Sequence, residues 1–159
     1  MRIIKALNRV EELFIGISIL TVTIILFVNV VLRYIFSSSM TWVEEFTRYG
    51  IIWVTFVGSS VCVYKAMHLG IDSVLSAIFK KDNKFIASLV PFIGVAFSLL
   101  FTILATKMTM QVYEGNELSS TIGISMAYIY AAMPVGGCLM TIKYVERLLH
   151  VLLAKGGTS

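Results

Sequence analysis

Residues Leu13–Leu32 read LFIGISILTVTIILFVNVVL, an apolar run with no Asp, Glu, Lys, Arg or His. A helix needs about 20 mainly apolar residues to cross the hydrocarbon core of a bilayer, so this run is long enough alone. Basic residues precede it, but it has no small-residue cleavage site, and its apolar core is longer than that of a typical secretory signal. We therefore predict a retained membrane-spanning helix.

Three further charge-free runs follow: Tyr49–Tyr64, Phe85–Thr106 and Leu118–Ile142. The first of these is short, but its flanking Arg48 and Lys65 can extend to the membrane surfaces. With 58% hydrophobic and 14% charged residues in 159, the chain has no room for a separate soluble domain. We predict an all-α integral membrane protein that forms one domain over 1–159, with four transmembrane helices at about 13–35, 42–67, 85–113 and 122–150.

Two shorter segments have the pattern of amphipathic helices. Residues 1–12 alternate apolar and charged side chains at helical spacing, and residues 71–79 carry one apolar stripe at that spacing. In the second segment, Asp72 near the start and Lys80 and Lys81 at the end suit the helix dipole. We predict that both segments lie in the membrane interface, the first either as a separate helix or continuous with span one.

The basic residues predict the orientation of the chain. Ten of the 13 Lys and Arg residues fall at the two termini and in the connection between spans two and three, and only Arg33, Arg48 and Lys107 fall on the other side. The positive-inside rule then places both termini in the cytoplasm. The net charge of +4 is explained by this asymmetry, and we expect no nucleic-acid partner.

Span four contains the features of a kinked, closely packed helix. Pro134 lies well inside the predicted span, where proline removes a backbone hydrogen bond and bends a helix. Small residues flank it, as Ala131-Ala132 and Gly136-Gly137. Small side chains let helices approach closely in a membrane, so we expect a close helix crossing at this position.

The densest charge cluster beside the membrane lies between spans one and two. Thr41-Trp42-Val43-Glu44 has the form of a capping box, so span two is predicted to begin near Trp42, which is itself suited to the interface. Arg48 can pair with Glu44 one turn away. Glu45 has no such local explanation. Arg33 and Glu45 lie about one turn on either side of the bend, so an ion pair between the helices is our first interpretation, and contact with a partner protein is a compatible second.

No catalytic or cofactor site follows from the remaining polar residues. His68 and His150 share no helix face with a second ligand candidate, whereas haem ligation needs ligands that converge from facing helices. Span one has no carboxylate at mid-membrane depth, as a self-sufficient proton-coupled transporter would require. We expect neither an enzyme nor a resident cofactor. A four-helix haem or quinone protein stays as the alternative, whereas a self-assembling drug exporter conflicts with the charge asymmetry.

Four motifs resemble a known family in their order and spacing: NVVLRY at Asn29–Tyr34, WVEE at Trp42–Glu45, WVTFVG at Trp53–Gly58 and HLGID at His68–Asp72. Together with the four-span plan, they resemble the small, DctQ-like membrane subunit of tripartite ATP-independent periplasmic (TRAP) transporters. The motifs cover spans one and two. The C-terminal half is similar mainly in its hydropathy.

The resemblance implies a non-catalytic scaffold subunit in the bacterial inner membrane. Its partners would be the membrane lipid, a large multi-span subunit that holds the substrate and sodium sites, and a periplasmic binding protein. The binding protein delivers an organic acid such as a sialic acid, a sugar acid or a dicarboxylate. Because the chain ends soon after Lys155-Gly156-Gly157, we expect the large subunit to be a separate polypeptide.

The same resemblance implies candidate contact residues at both ends of the first helical hairpin. At the periplasmic end they form a subunit interface or a clamp of the hairpin, and at the cytoplasmic end they lie near the second amphipathic segment. The candidates are Arg33, Trp42, Glu44, Glu45, Arg48, Trp53, His68 and Asp72.

Overall fold

The described part of the chain folds into long helices. The computed structural model describes residues 2–36, 38, 40–69 and 84–153, with side chains described for 4–36, 38, 40–66 and 89–150. Within these residues no strand longer than an isolated bridge occurs, which confirms the all-α prediction. The helices are α1 (Arg2–Phe36), α2 (Thr41–Leu69), α3 (Lys84–Glu114), α4 (Ala127–Tyr130) and α5 (Ala132–Leu153).

The four long helices stand side by side in the order α1, α2, α5, α3. Each makes its main contacts with its neighbours in that order, and the short α4 packs between α3 and α5. Neighbours alternate in chain direction except α2 and α5, which run parallel. The connections of α1 to α2 and of α3 to α4 therefore lie at one end, called the loop end, and the start of α1 and the end of α5 lie at the other, called the termini end.

A single seam joins α1 to α2. Its residues recur every three or four positions along α1 and are half-buried or buried, whereas most of the remaining surface of α1 is exposed. Such spacing keeps one narrow stripe of a long helix on its partner. Residues 2–12 are the first turns of this one helix, so the predicted first amphipathic segment is continuous with α1. The seam residues are Glu11, Ile15, Ser18, Val22, Ile25 and Asn29.

Glycines permit close approach where α5 crosses its neighbours. A Cβ atom on Gly136 would lie 2.7 Å from the carbonyl oxygen of Phe56 in α2, and one on Gly137 would overlap the Thr102 hydroxyl in α3. Ala132 on the same helix is fully buried. The predicted close crossing at these small residues is therefore confirmed, because any larger side chain would force the backbones apart.

The helix is interrupted at Ala131, between α4 and α5. Pro134 has no N–H to donate to the carbonyl of Tyr130, four residues earlier. The hydroxyl of Thr109 in α3, which donates to the Ala105 carbonyl at 2.8 Å, also lies within hydrogen-bond distance of that carbonyl, at 3.3 Å. The predicted disturbance at Pro134 is thus present, and a side chain of a neighbouring helix binds the carbonyl oxygen that it leaves free.

The fourth long helix begins later than the predicted fourth span, which starts at 122. Residues 115–126 form a loop, in which Ser119 N–H donates to the Ile124 carbonyl at 2.8 Å and Met126 N–H donates to the Glu117 carbonyl at 2.9 Å. These bonds satisfy the backbone within the loop, so a charge-free sequence does not need to be helical here.

Three of the helices hold a stretch long and apolar enough to cross a membrane: Ile4–Phe36 in α1, Thr41–Ala66 in α2 and Leu89–Glu114 in α3. Their outward side chains are large and apolar, as lipid contact requires. In its C-terminal half, α5 carries Lys143, Glu146 and Arg147, so the fourth span stays a prediction. The predicted segment 71–79 lies outside the described residues.

We expect Gly136→Ala to weaken the crossing of α2 and α5, since the added Cβ would press on the Phe56 backbone. Overpacking of this kind costs about 1–3 kcal/mol. The matched control is Gly16→Ala in α1, where nothing lies within 4 Å of the new atom. Thermal unfolding in detergent measures both variants. Equal melting temperatures would contradict the assigned role of Gly136.

Candidate functional site

The predicted ion pair between Arg33 and Glu45 is wrong, because these two residues form no ion pair in the described structure. The Asn29 side chain joins the helices instead, by accepting a hydrogen bond from Met40 N–H at 3.0 Å. Arg33 therefore lies one turn beyond this contact on α1, and Glu45 lies five residues inward from it on α2. Their heights differ by about 14 Å, at 1.5 Å per helical residue.

Glu45 binds the loop between α3 and α4. Its carboxylate accepts hydrogen bonds from the backbone N–H groups of Thr121 at 3.0 Å and Ile122 at 3.1 Å. The Tyr49 hydroxyl, one turn along α2, also donates to it. These residues form the Glu45 cluster. It connects α2 to a loop that is 76 residues away in sequence, at the loop end of the molecule.

The other predicted residues at the loop end face outward. Glu44, Arg48 and Arg33 are exposed, and Glu44 and Arg48 form no ion pair with each other within the described structure. Trp42 is exposed by 41% and meets Phe46 edge to face. Thr41 is the first residue of α2, one position before the predicted start at Trp42. Contact of these side chains with a partner stays a prediction.

The remaining candidates divide between packing and the undescribed region. Trp53 is half-buried and packs edge to face on Phe14 of α1, with ring centroids 6.4 Å apart, so it contributes to the hairpin itself. His68 lies in the last turn of α2, but its side chain is outside the described residues, as is the whole of Asp72.

A second polar cluster was not predicted from the sequence. Lys143 of α5 is fully buried, and its Nζ donates to Asn8 Oδ1 at 2.8 Å and to a carboxylate oxygen of Glu11. The Ser60 hydroxyl of α2, also fully buried, donates to Glu11 at 3.4 Å. The ring of Tyr64 lies below the ammonium, 5.8 Å from centroid to Nζ. These residues form the Lys143 cluster.

The Lys143 cluster connects three helices near the termini end. The seam spacing places Asn8 and Glu11 on the α2 side of α1, and this spacing was the available signal in the sequence. Lys143 had been counted only as one of the basic residues that set orientation. Gly136 supports this burial, because it brings α5 close enough to α2 for the lysine to reach across to α1.

In each of the two clusters the charged group finds its hydrogen-bond partners within the chain. In the Lys143 cluster the ammonium has two oxygen acceptors and an aromatic face, and in the Glu45 cluster one carboxylate has three donors. From Glu45 to Ser60 is fifteen residues of α2, or about 22 Å. Among the described side chains, no three His, Cys, Asp or Glu residues are grouped as metal ligands. The arrangement can hold helices in register.

The match to a known protein family extends over most of the described helices. The profile of the family described as tripartite ATP-independent periplasmic transporters, DctQ component, matches residues 22–154. The C4-dicarboxylate TRAP transporter small permease protein DctQ of Vibrio cholerae is 23% identical over 170 aligned positions, which cover 93% of this chain and 73% of that protein. The protein of the same name from Rhodobacter capsulatus is 20% identical, with 90% and 76% covered.

A third relative is much longer than this chain. The sialic acid TRAP transporter permease protein SiaT of Haemophilus influenzae is 28% identical over 146 residues. The alignment covers 89% of this chain and 23% of SiaT, so the chain spans about a quarter of that relative's length. The unit described above therefore matches one part of a larger permease polypeptide.

We expect Lys143→Met to destabilise the chain strongly, because it leaves the Glu11 carboxylate buried without its cation. Removing one member of a buried ion pair costs about 3–5 kcal/mol. Replacing Glu11 by Met as well should recover much of the loss. The neighbouring control is Glu12→Ala, which removes an exposed ion pair with Lys65 and should change little. Unfolding in detergent compares all four proteins; a similar effect of Lys143→Met and Glu12→Ala would refute the assigned burial.

We expect Glu45→Ala to loosen the loop between α3 and α4, since the Thr121 and Ile122 amides lose their acceptor. Glu44→Ala, one residue away and exposed, is the control. Hydrogen exchange should be faster at residues 121 and 122 in the first variant only. Transport or assembly should also fall more for Glu45→Ala. The idea fails if both variants leave exchange at these amides unchanged.

Proposed function

Because this chain belongs to the DctQ component family of tripartite ATP-independent periplasmic transporters, we propose that it is the non-catalytic small membrane subunit of a sodium-coupled importer for an organic acid. Family membership confirms the resemblance read from the motifs and makes the chain a TRAP transporter subunit. Sodium coupling, substrate and mechanical role belong to the proposal.

The internal hydrogen bonds of the charged groups support a bracing role. Two described charged groups with several hydrogen bonds, Lys143 and Glu45, both bind within the chain and connect separate segments of it. A transport site needs polar groups that are free to exchange partners between water, ion and substrate. Groups that are satisfied internally instead hold helices in fixed positions. This is the observation that carries the scaffold proposal.

The partners are proposed from the family. We propose that a large multi-span membrane subunit contacts this chain and holds the substrate and sodium sites, and that a periplasmic binding protein delivers the substrate. The 23% coverage of SiaT supports the first partner, because there a matching segment is part of a longer permease. Surrounding lipid covers the rest of the apolar surface.

The substrate class rests on the relatives' names. One relative is named for sialic acid and two for C4-dicarboxylates, and all of these are organic acids. We propose an organic acid for this transporter: a sialic acid, a sugar acid or a dicarboxylate. The groups that select among them belong to the partner chains.

The proposed location is the bacterial inner membrane, with the termini end in the cytoplasm. The ten-to-three asymmetry of basic residues supports this orientation. The loop end, with Arg33, Arg48 and the Glu45 cluster, then faces the periplasm. The family match identifies a transporter component, which argues against the haem or quinone alternative.

Co-expression with a candidate large subunit tests the proposal. We expect the two chains to purify together from membranes, and we expect uptake of the organic acid by proteoliposomes to require both chains, the binding protein and a sodium gradient. The control replaces this chain by the Lys143→Met variant, which should reduce complex yield. A large subunit that is stable and fully transport-competent without this chain would contradict the subunit role.

A further inference from the structure

The last long helix lacks the apolar length that the other three have. Lys143 is the twelfth of the 22 residues of α5, and Glu146, Arg147 and His150 follow it. Before Lys143 the helix holds only Ala132–Ile142 without a charge, which is eleven residues or about 16 Å. The hydrocarbon core of a bilayer is about 30 Å thick, so the sequence of α5 alone does not suit a membrane span.

The charge-free sequence that precedes α5 does not make up this length. The helix is interrupted at Ala131, α4 is a single turn, and residues 115–126 form a loop. Even with α4 included, Ala127–Ile142 would extend only about 24 Å. If α5 crosses the membrane, Lys143 therefore lies in its apolar part. An unpaired lysine opposes insertion of a helix, by up to roughly 100-fold at the centre of a span.

The partners of Lys143 come from the first helical hairpin. Its ammonium donates hydrogen bonds to Asn8, at 2.8 Å, and to Glu11 of α1, and it lies over the Tyr64 ring of α2. Among the described side chains, none from α3 contacts this ammonium. The fully buried hydroxyl of Ser98 in α3 donates to a carbonyl of its own helix, at 3.2 Å. The long helix that precedes α5 in the chain thus offers the lysine no partner.

The first hairpin holds its carboxylate in place without α5. Phe14 of α1 packs on Trp53 of α2, and the Ser60 hydroxyl of α2 donates to the Glu11 carboxylate at 3.4 Å. None of these groups belongs to α5. Segments near the N-terminus are synthesised first, so α1 and α2 are available before α5 is made. Glu11 is then an anion that a later cation can reach.

We propose that the hairpin of α1 and α2 enables α5 to enter the membrane as the fourth span, because Glu11 neutralises Lys143. This inference rests on the membrane location and orientation proposed above. Charges inside a membrane are tolerated when they are paired and face protein, as this pair does. The side of the membrane that the C-terminus reaches therefore depends on a residue of the first helix.

The two members of the ion pair have unequal roles in this step. Without Glu11, Lys143 has no anion and α5 fails to insert. Without Lys143, the charge-free sequence of α5 extends to Val145 and needs no anion. The first helix inserts in both cases, because its apolar run Leu13–Leu32 does not include Glu11. A loss of folded stability alone would affect both variants in the same way.

Reporter proteins fused to the C-terminus of the full chain test this difference. Alkaline phosphatase becomes active only in the periplasm, and green fluorescent protein fluoresces only in the cytoplasm. The ratio of phosphatase activity to fluorescence, measured in parallel fusions, thus reports the side that the C-terminus reaches. We expect a low ratio for the unchanged chain and for Lys143→Met, and a rise of roughly tenfold or more for Glu11→Met.

Two further variants make the result specific. Glu11→Met combined with Lys143→Met should return the ratio to that of the unchanged chain, because α5 then carries no lysine to neutralise. Glu12→Ala removes the exposed ion pair with Lys65 on the neighbouring position of α1, and should leave the ratio low.

An unchanged ratio in Glu11→Met would overturn the proposal. An equal rise in Lys143→Met would also overturn it, since lost stability and not an unpaired lysine would then misplace α5. Phosphatase activity from the unchanged chain would contradict both the proposed orientation and this inference. The reporters need neither a large subunit nor a substrate, so a failure of the transporter-subunit proposal would leave these results as they are.

Discussion

The ion pair between Lys143 and Glu11 is the contact on which the arrangement of the helices depends. It joins the first helix of the chain to the last, across α2, at a position where Lys143 and Ser60 are fully buried. A buried charge is tolerated only when its partners are in place. Any displacement of α1 or α5 would therefore leave a buried charge unpaired, at a large electrostatic cost. The pair therefore specifies one arrangement among many that apolar packing alone would permit.

This constraint matters more in a membrane than in water. Between helices in lipid there is little hydrophobic driving force, since acyl chains are as apolar as leucine. Register has to come from close backbone contact and from polar groups. Here Gly136 and Gly137 allow the close contact, the Lys143 cluster fixes the termini end and the Glu45 cluster fixes the loop end.

Much of the fold could be predicted from the sequence, because each helix is encoded locally by its length and apolar content. The seam of α1, the crossing at Gly136 and the break near Pro134 also have local signals. The prediction that was wrong concerns which side chains pair between helices. Arg33 and Glu45 were matched by counting residues from the bend, but that count assumes that both helices end at equal height. Asn29 binds Met40, so α1 continues about two turns past the start of α2.

Lys143 and Glu11, which were not predicted to pair, show the same limit of prediction from sequence. Lys143 and Glu11 are separated by 132 residues, and each has an ordinary explanation as a charge near a membrane surface. Only the register of three helices brings them together. A sequence can indicate that a charge lies on the buried stripe of its own helix, as Glu11 does, but it cannot identify the opposing charge without that register. For a protein whose outer surface is lipid-facing, the residues that define its shape are therefore its few internal polar ones.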